Sequence, residues 1–596
     1  MEHITPQKVQ LAVKAGFDRL AHYRKARVMY IRALIGQYGR EVSGLTGEEP
    51  INLFYNVLRA TVPNMVMDNP LNEVKTRFTS QKQYAELMSL ALDTVERDIE
   101  MKDTLRAGIV SAFFGMAVFK VSLRASGLHL HVDDQRIDPG QVYASLVDLD
   151  DFVIDPSCKS LRSATFIGHK VTVPRQSLLD NDIYDKEIVK QLPTAGQKKE
   201  TTVADLTKGN DAEFQQLQDM VNVVELWIPG AESLVTIPDP REFISEKYIS
   251  IQEYYGPPTG PYEFMYFSPP VPDNPLPIAP ASVIYDLHNM VNRVFKKTMD
   301  QSDRQRDLLL YNPAVADEAR DIEEAKDGDA IACTQPKEVN VVSFGGQNDK
   351  NSGMLGQLQV WFNYMAGNPD QLSGQSSNAG SATQASILQS NSTVSVEDAK
   401  DIVYTTMGRI SQKLAWYLHN DPLIELPMIR RKPGGEDEQV VLTPEQRTGE
   451  FVSFTFKIVR RSMNRLDPVI RSRRIVEFVS NIMPAITNTA MLMLQTGHQF
   501  NLEKALTRIA DELGVGDWVQ DLFADPDFEQ RMMLMQQMGP QDAGGKNQIT
   551  TGAIMQNHGY PSSIKVMGGS QMQNQQAQMG ANEGQQIVRP QAEGGF

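Results

Sequence analysis

The sequence predicts an α+β protein, predominantly helical, with several regions on one chain. Three observations carry that reading. Apolar residues recur at steps of three and four over long segments at both ends, and short alternating segments crowd between Gly127 and Phe267. A proline-rich connector, SPPVPDNPLPIAP (268–280), divides the two patterns. At 596 residues with 41% hydrophobic content, the chain is long enough for each region to bury a core.

Taken in order, Thr5-Pro6 reads as a helix start, a hydroxyl to cap free N–H groups and a proline at the first turn, with helix expected to about Arg40. GLTGEEP breaks it. A second helix, INLFYNVLRATVPNMV, leads into the extended NPLNEVKTRFT. Helix is expected again from about Gln81 to Ala107, continuing into IVSAFFGMAVFKVSL, where the pattern turns to strand near Gly115. Short strands follow, among them LHLHV, ATFIGHKVTV and NVVELWIP, with a polar helical insert near Val203–Val221.

After Pro280, Val283, Leu287, Met290 and Val294, with Ile284 and Val291 beside them, mark a helix expected to reach about Asp307. The segment from Leu308 to Phe344 reads as a small inserted unit: a strand, an acidic helix, a turn at Asp327-Gly328 and two more strands. Helix returns at Gly353–Ala366, with Leu355, Leu358, Trp361, Phe362 and Met365 expected on its apolar side. A run of small uncharged residues comes next, then a helix from Thr383 to His419 whose Val403, Met407, Ile410, Leu414 and Tyr417 have the spacing of a packed seam. FVSFTFKIV alternates as a half-buried strand, and helices are expected over Asp467–Asp525. Beyond Arg531 the Met-, Gln- and Gly-rich composition predicts a tail that is mobile or ordered by partners.

A net charge of −16 argues against a protein that grips nucleic acid through a broad basic footprint. Two distant cysteines suggest neither a disulfide framework nor a zinc site. No uncharged apolar stretch long enough to span a bilayer is found, and the N-terminus does not read as a signal peptide, so a chain without a membrane partner is expected. Within SGQSSNAGSATQAS (373–386), five residues separate Gly374 from Gly380 and no lysine follows, so this is not a phosphate-binding P-loop. DLDDFVIDP offers Asp148, Asp150, Asp151 and Asp155 as a candidate magnesium or calcium cluster, but Val153 stands where a calcium loop needs glycine; a turn into a short strand is the favoured reading. His129 and His131 would share a strand face, with no further ligand nearby. There is no G-x-S-x-G elbow or cysteine-protease signature, so the chain is expected not to be an enzyme and to need no cofactor.

Three stretches, NLFYNVLRATVPNMVMDNPLNEV, LRAGIVSAFFGMAVFKVSL and LDDFVIDPSCKSLRSATFIGHKVTV, resemble the portal proteins of tailed bacteriophages, most like those of short-tailed phages. So does the order of the central elements: proline-rich connector, helix, small α/β insert, returning helix, small-residue loop, long helix. The resemblance covers roughly residues 1–530. It implies a portal-type fold, with residues 1–270 and 421–466 as wing, 271–307 as connector and first stem helix, and 308–344 as clip. The second stem helix would be 345–372, the tunnel loop 373–383, the long helix 384–420 and the crown helices 467–530, leaving 531–596 as a tail without counterpart.

The resemblance further implies a homo-oligomeric ring, a dodecamer, at one capsid vertex of the virion. It would be made in the host cytoplasm and conduct double-stranded DNA during packaging and ejection. Terminase, head–tail adaptor and tail proteins, and major capsid and scaffolding proteins would be its partners. On that basis Ser373, Gly374, Gln375, Ser376, Ser377, Asn378, Ala379, Gly380 and Ser381 would border the DNA. Lys296, Lys297, Arg304 and Arg306 would form a basic stripe facing the channel, and Asp317, Glu318, Arg320, Glu323, Glu324 and Lys326 would meet terminase or adaptor. The alternatives are a metal-dependent DNA-processing enzyme built on Asp148–Asp155, or another head–tail component. An acidic wall suits the first reading, since carboxylates repel phosphates and let a duplex slide.

Overall fold

In the computed structural model, the described residues are 5–36, 51–124, 130–132, 135–137, 140–195, 212–268, 271–334, 336–344, 349–367, 369, 382–431, 437–459, 462–463, 472, 475–476, 478–486, 506 and 509. All of them fall in one unit, Met1–Ala524.

Helix α1 (Pro6–Ile35) starts at the expected proline, but the Thr5 hydroxyl makes no cap; the Thr5 carbonyl accepts from the N–H groups of Lys8 and Val9 instead. The helix stops at Ile35 rather than Arg40, because Gly36 takes φ 41° and returns its N–H to the Arg32 carbonyl. Val13, Phe17 and Leu20 face inward. Gly16 is required at the crossing over the strand below, since a Cβ there would lie 2.6 Å from the Ile154 carbonyl oxygen.

Helix α2 (Leu53–Met65) is capped by Asn52, which accepts from the Tyr55 N–H, and β1 (Asn72–Thr76) follows. The next helix, expected to be continuous, is two: α3 (Lys82–Asp98) and α4 (Met101–Phe113). Glu100 sits between them at φ 53°, a left-handed turn that lets Ile99 and Met101 both enter the core. As expected, the chain turns to strand after Gly115.

Strands β2 (Ala117–Arg124), β3 (Leu130–Val132), β4 (Gln135–Ile137), β5 (Gln141–Val147), β6 (Phe152–Ile154) and β7 (Ile167–Pro174) lead to short helices α5 (Arg175–Leu179), α6 (Lys186–Gln191) and α7 (Ala212–Leu217). Strands β8 (Met220–Ile228), β9 (Ser233–Pro238), β10 (Ser250–Glu253) and β11 (Tyr262–Met265) complete the region. The expected insert helix is thus confined, among the described residues, to Ala212–Leu217, and Met220 already belongs to a strand. One antiparallel sheet runs β10-β9-β8-β7-β6 and a second β11-β2-β5.

Beyond the prolines, α8 (Pro280–Asp303), β12 (Arg306–Tyr311), α9 (Ala316–Glu324), β13 (Val339–Phe344) and α10 (Asp349–Met365) form a helical arm tipped by a two-stranded ribbon. The acidic helix is followed by one strand, not two: after the turn at Gly328 (φ 92°), residues 330–334 are irregular and only Val339–Phe344 pairs with β12. The long helix α11 (Ala382–Asn420) buries Val403, Met407, Ile410, Leu414 and Tyr417 as its spacing predicts.

After α11, β14 (Leu426–Arg431) pairs with β15 (Asp437–Leu442), and β16 (Phe454–Ile458) pairs with β1 from the other end of the chain. The main core joins Phe54, Met88, Leu92, Leu105 and Phe114 to the α11 seam. Of the expected helices over 467–525, Phe478–Ile482 forms a π-helical turn and Phe478 buries against Leu506; most of that span and the whole tail lie outside the described residues. Among those described, no helix is long and apolar enough to cross a membrane.

Candidate functional site

The arm is anchored at its base and bare beyond it. His288 is fully buried beside the Phe54 ring, and the Tyr30 and Tyr285 rings meet edge-on at 5.1 Å. Asn292 clasps Ile51, accepting its N–H at 2.9 Å and donating to its carbonyl at 3.0 Å. Buried positions on α8 end there. Farther out, the Asn351 side-chain amide donates to Gln301 Oε1 at 2.9 Å, tying α10 to α8.

The apolar faces of both arm helices differ from expectation in an instructive way. On α8, Ile284 and Val291 turn inward, while Val283 and Met290 are 47% and 46% exposed. On α10, Leu358 and Phe362 are buried, whereas Trp361 and Met365, expected beside them, face solvent together with Val360 and Tyr364, the last 77% exposed. In the ribbon, Leu308, Leu310, Tyr311, Val341 and Val342 are exposed as well, Val341 at 69%. The arm carries a second apolar face with nothing from its own chain against it among the described residues.

Lys296 and Lys297 are exposed on α8, but the basic stripe does not continue along the helix as expected. Arg304 is its C-terminal cap and Arg306 opens β12, with exposed Asp300, Asp303 and Asp307 interspersed. Asp317, Arg320, Glu323, Glu324 and Lys326 are exposed at the arm's tip. Glu318 is half-buried and serves the fold: it accepts from Cys333 Sγ at 2.8 Å and from the Thr334 N–H at 3.0 Å, pinning the loop to α9. Ser373–Ser381 lie outside the described residues.

The four aspartates between 148 and 155 do not converge. Arg27 Nη1 reaches Asp148 at 2.7 Å and Asp150 at 3.4 Å, and Lys170 pairs with Asp151 at 2.8 Å. Asp155 accepts from the N–H and hydroxyl groups of both Ser157 and Thr165. Burial works to raise the Asp148 and Asp155 pKa values, but Arg27 in one case and the Ser157 and Thr165 donors in the other outweigh it, and both are lowered. Among the described residues, no group of His, Cys, Asp and Glu is placed to hold a metal.

The sequence reading missed a buried acid cluster. Glu96 Oε1 shares a hydrogen bond with Ser411 Oγ at 2.7 Å and Glu96 Oε2 accepts from Asn72 Nδ2 at 2.8 Å, and Asn72 also donates twice to Asp93, joining β1, α3 and α11. Burial pushes Glu96 up to about 8, with the hydrogen bonds pulling the other way, and Asp93 up to about 6. The signal was present: Ala85, Met88, Leu92 and Val95 trace the inward face of α3, and Glu96 stands on it.

Residues 68–229, from just before β1 to just beyond β8, match the family model of the Phage SU10 portal protein. Over this span the chain is similar to a phage portal protein family. The span takes in the second and third of the stretches on which the resemblance rests in full and the extended end of the first, residues 68–74, and it covers just over a quarter of the chain. No curated protein matches the chain.

Proposed function

We propose that the whole chain is the subunit of a phage portal. It is a structural ring at one capsid vertex through which double-stranded DNA is packaged and ejected, and on which terminase and the head–tail adaptor dock. The observation that carries this reading beyond the matched span is the second apolar face of the arm. Positions spaced as packing residues, Val283, Met290, Trp361 and Met365, are exposed in the single chain, and large exposed apolar patches mark surfaces that meet a partner.

A ring of identical subunits supplies that partner through heterologous contacts that close on themselves. In this reading α8 and α10 are the stem, the ribbon with α9 is the clip, and Ser373–Ser381 border the channel, in the manner of short-tailed phage portals. Lys296, Lys297, Arg304 and Arg306, interspersed with aspartates, would offer a duplex alternating attraction and repulsion, suited to sliding rather than gripping. Exposed Asp317, Arg320, Glu323, Glu324 and Lys326 would give the clip a charged docking face.

Native mass spectrometry of a Trp361→Glu/Tyr364→Glu variant tests the reading. Both side chains are exposed in the single chain, so the subunit should fold and remain monomeric while the unaltered protein forms closed rings. Rings of normal stoichiometry from the variant would remove the arm from the subunit interface.

A further inference from the structure

Three cations converge on one carboxylate where α11 packs against β11. Arg409 and Lys413 stand one turn apart on α11, Glu263 lies on β11, and Arg162 comes from the short helical turn Leu161–Ser163. Glu263 Oε1 is 3.4 Å from Arg409 Nη1 and 3.9 Å from Arg162 Nη2, and Glu263 Oε2 is 3.7 Å from Lys413 Nζ. Among the described residues Glu263 is the only ion-pair partner of all three, so the cluster carries two positive charges in excess.

The donors are divided unequally. The Lys413 side chain is 3% exposed, and its ammonium is taken up by the Gly260 carbonyl at 2.6 Å and Thr259 Oγ1 at 3.1 Å. It is a fixed charge beneath the surface, where the low local dielectric screens it little. The Arg162 and Arg409 side chains are 69% and 42% exposed, and beyond Glu263 their guanidiniums make no hydrogen bond or ion pair among the described residues. A strong charge-assisted bond is about 2.7–2.9 Å long, and none of the three cations comes that close to Glu263. The carboxylate offsets charge without occupying the guanidinium forks. Nη2 of Arg162 and Nη1 of Arg409 both lie within 4 Å of one oxygen atom, a span that a single tetrahedral oxyanion can bridge. The mounting is rigid: Leu161 is buried, Ser160 Oγ accepts the Arg162 backbone N–H, and Gly260 sits at φ 79° against the Trp227 ring.

We propose that Arg162 and Arg409 hold a phosphate dianion, free or as a phosphomonoester, beside the buried charge of Lys413. A phosphomonoester carries close to two negative charges at neutral pH and presents three acceptor oxygens, which matches both the excess charge and the unspent forks. A duplex backbone offers single charges strung along a line, and a carboxylate offers one, so either leaves half of the excess unmet. The inference rests on β11, α11 and the Leu161–Ser163 turn and not on ring formation, so either can fail without the other.

The test is isothermal titration calorimetry of the full-length protein with inorganic phosphate near pH 8, the value to which burial pulls Lys413, in two buffers of different ionisation enthalpy. Glu263 works against that pull and Arg162 and Arg409 add to it; a dianion alongside opposes it further, so binding should take up as much as about half a proton per subunit. Arg162→Gln alters an exposed side chain and should weaken binding at least about tenfold, whereas Lys14→Gln, on the exposed side of α1, should leave it unchanged. No phosphate binding tighter than about 10 mM, binding without proton uptake, or undiminished binding by Arg162→Gln overturns the proposal. Acetate that competes as well as phosphate overturns it in favour of a carboxylate. An oligonucleotide with a 5′-phosphate that competes where its 5′-hydroxyl counterpart does not makes a nucleic-acid end the source of the group, and competition by neither assigns the site to free phosphate. Equal competition by both overturns the proposal, because phosphodiesters then suffice.

Discussion

Replacing Glu96 by glutamine should make the protein more stable above neutral pH, and the size of the effect follows from the buried acid cluster. Ser411 Oγ lies 2.7 Å from Glu96 Oε1 and 3.0 Å from the Met407 carbonyl oxygen. A single hydroxyl proton serves one of these, and a protonated Glu96 supplies the other. Folding therefore keeps a proton on a group that ionises near 4.5 when exposed and near 8 in place.

Between those values the folded state binds the proton and the unfolded state has released it, so stability falls as pH rises through the window and levels off above about 8. At about 1.4 kcal/mol per pH unit, the full cost is about 5 kcal/mol. Glutamine cannot ionise; its carbonyl can accept from Asn72 and its amide can donate to Ser411, leaving one N–H unpaired at a cost of about 1 kcal/mol. The net gain above pH 8 is then about 4 kcal/mol, shrinking to nothing or a slight loss near pH 4.5. Asp93, raised to about 6, titrates in both proteins and cancels from the difference. Denaturant unfolding of the two proteins across this pH range measures it, and parallel profiles would refute the assignment of a neutral buried Glu96.

Other consequences are equally direct. Arg27→Met should destabilise by about 2 kcal/mol, between the values for exposed and for buried pairs, because Arg27 is buried while Asp148 stays half open to water. Asp148 is lowered in the fold, so this cost should be present near neutral pH and fade as pH falls through its titration; a cost independent of acid would separate the pair from stability. Deleting Gln375–Gly380 should leave ring assembly intact but impair DNA packaging or retention, and a normal phage yield would free that loop of any DNA-facing role. Duplex DNA incubated with the protein and magnesium should stay intact; cleavage that Asp150→Ala abolishes would restore the enzymatic reading.

What the sequence made legible was whatever local periodicity decides. The α11 seam, the strand at Phe454–Ile458 and the turn at Gly115 each follow from spacing alone. It missed where a contact from elsewhere in the chain intervenes. The break at Glu100 exists because Ile99 and Met101 both reach the core, which no local pattern announces. Glu318 read as a surface charge because its partners, Cys333 and Thr334, lie across a turn. The apolar spacing of Val283, Met290, Trp361 and Met365 reads as a packing pattern, yet among the described residues nothing from their own chain packs against them.

Electron microscopy of the purified protein, alone and with capsid components, tests the central claim most directly. The account predicts closed rings with an axial hole wide enough for a duplex, and particles that stay monomeric under both conditions would contradict it.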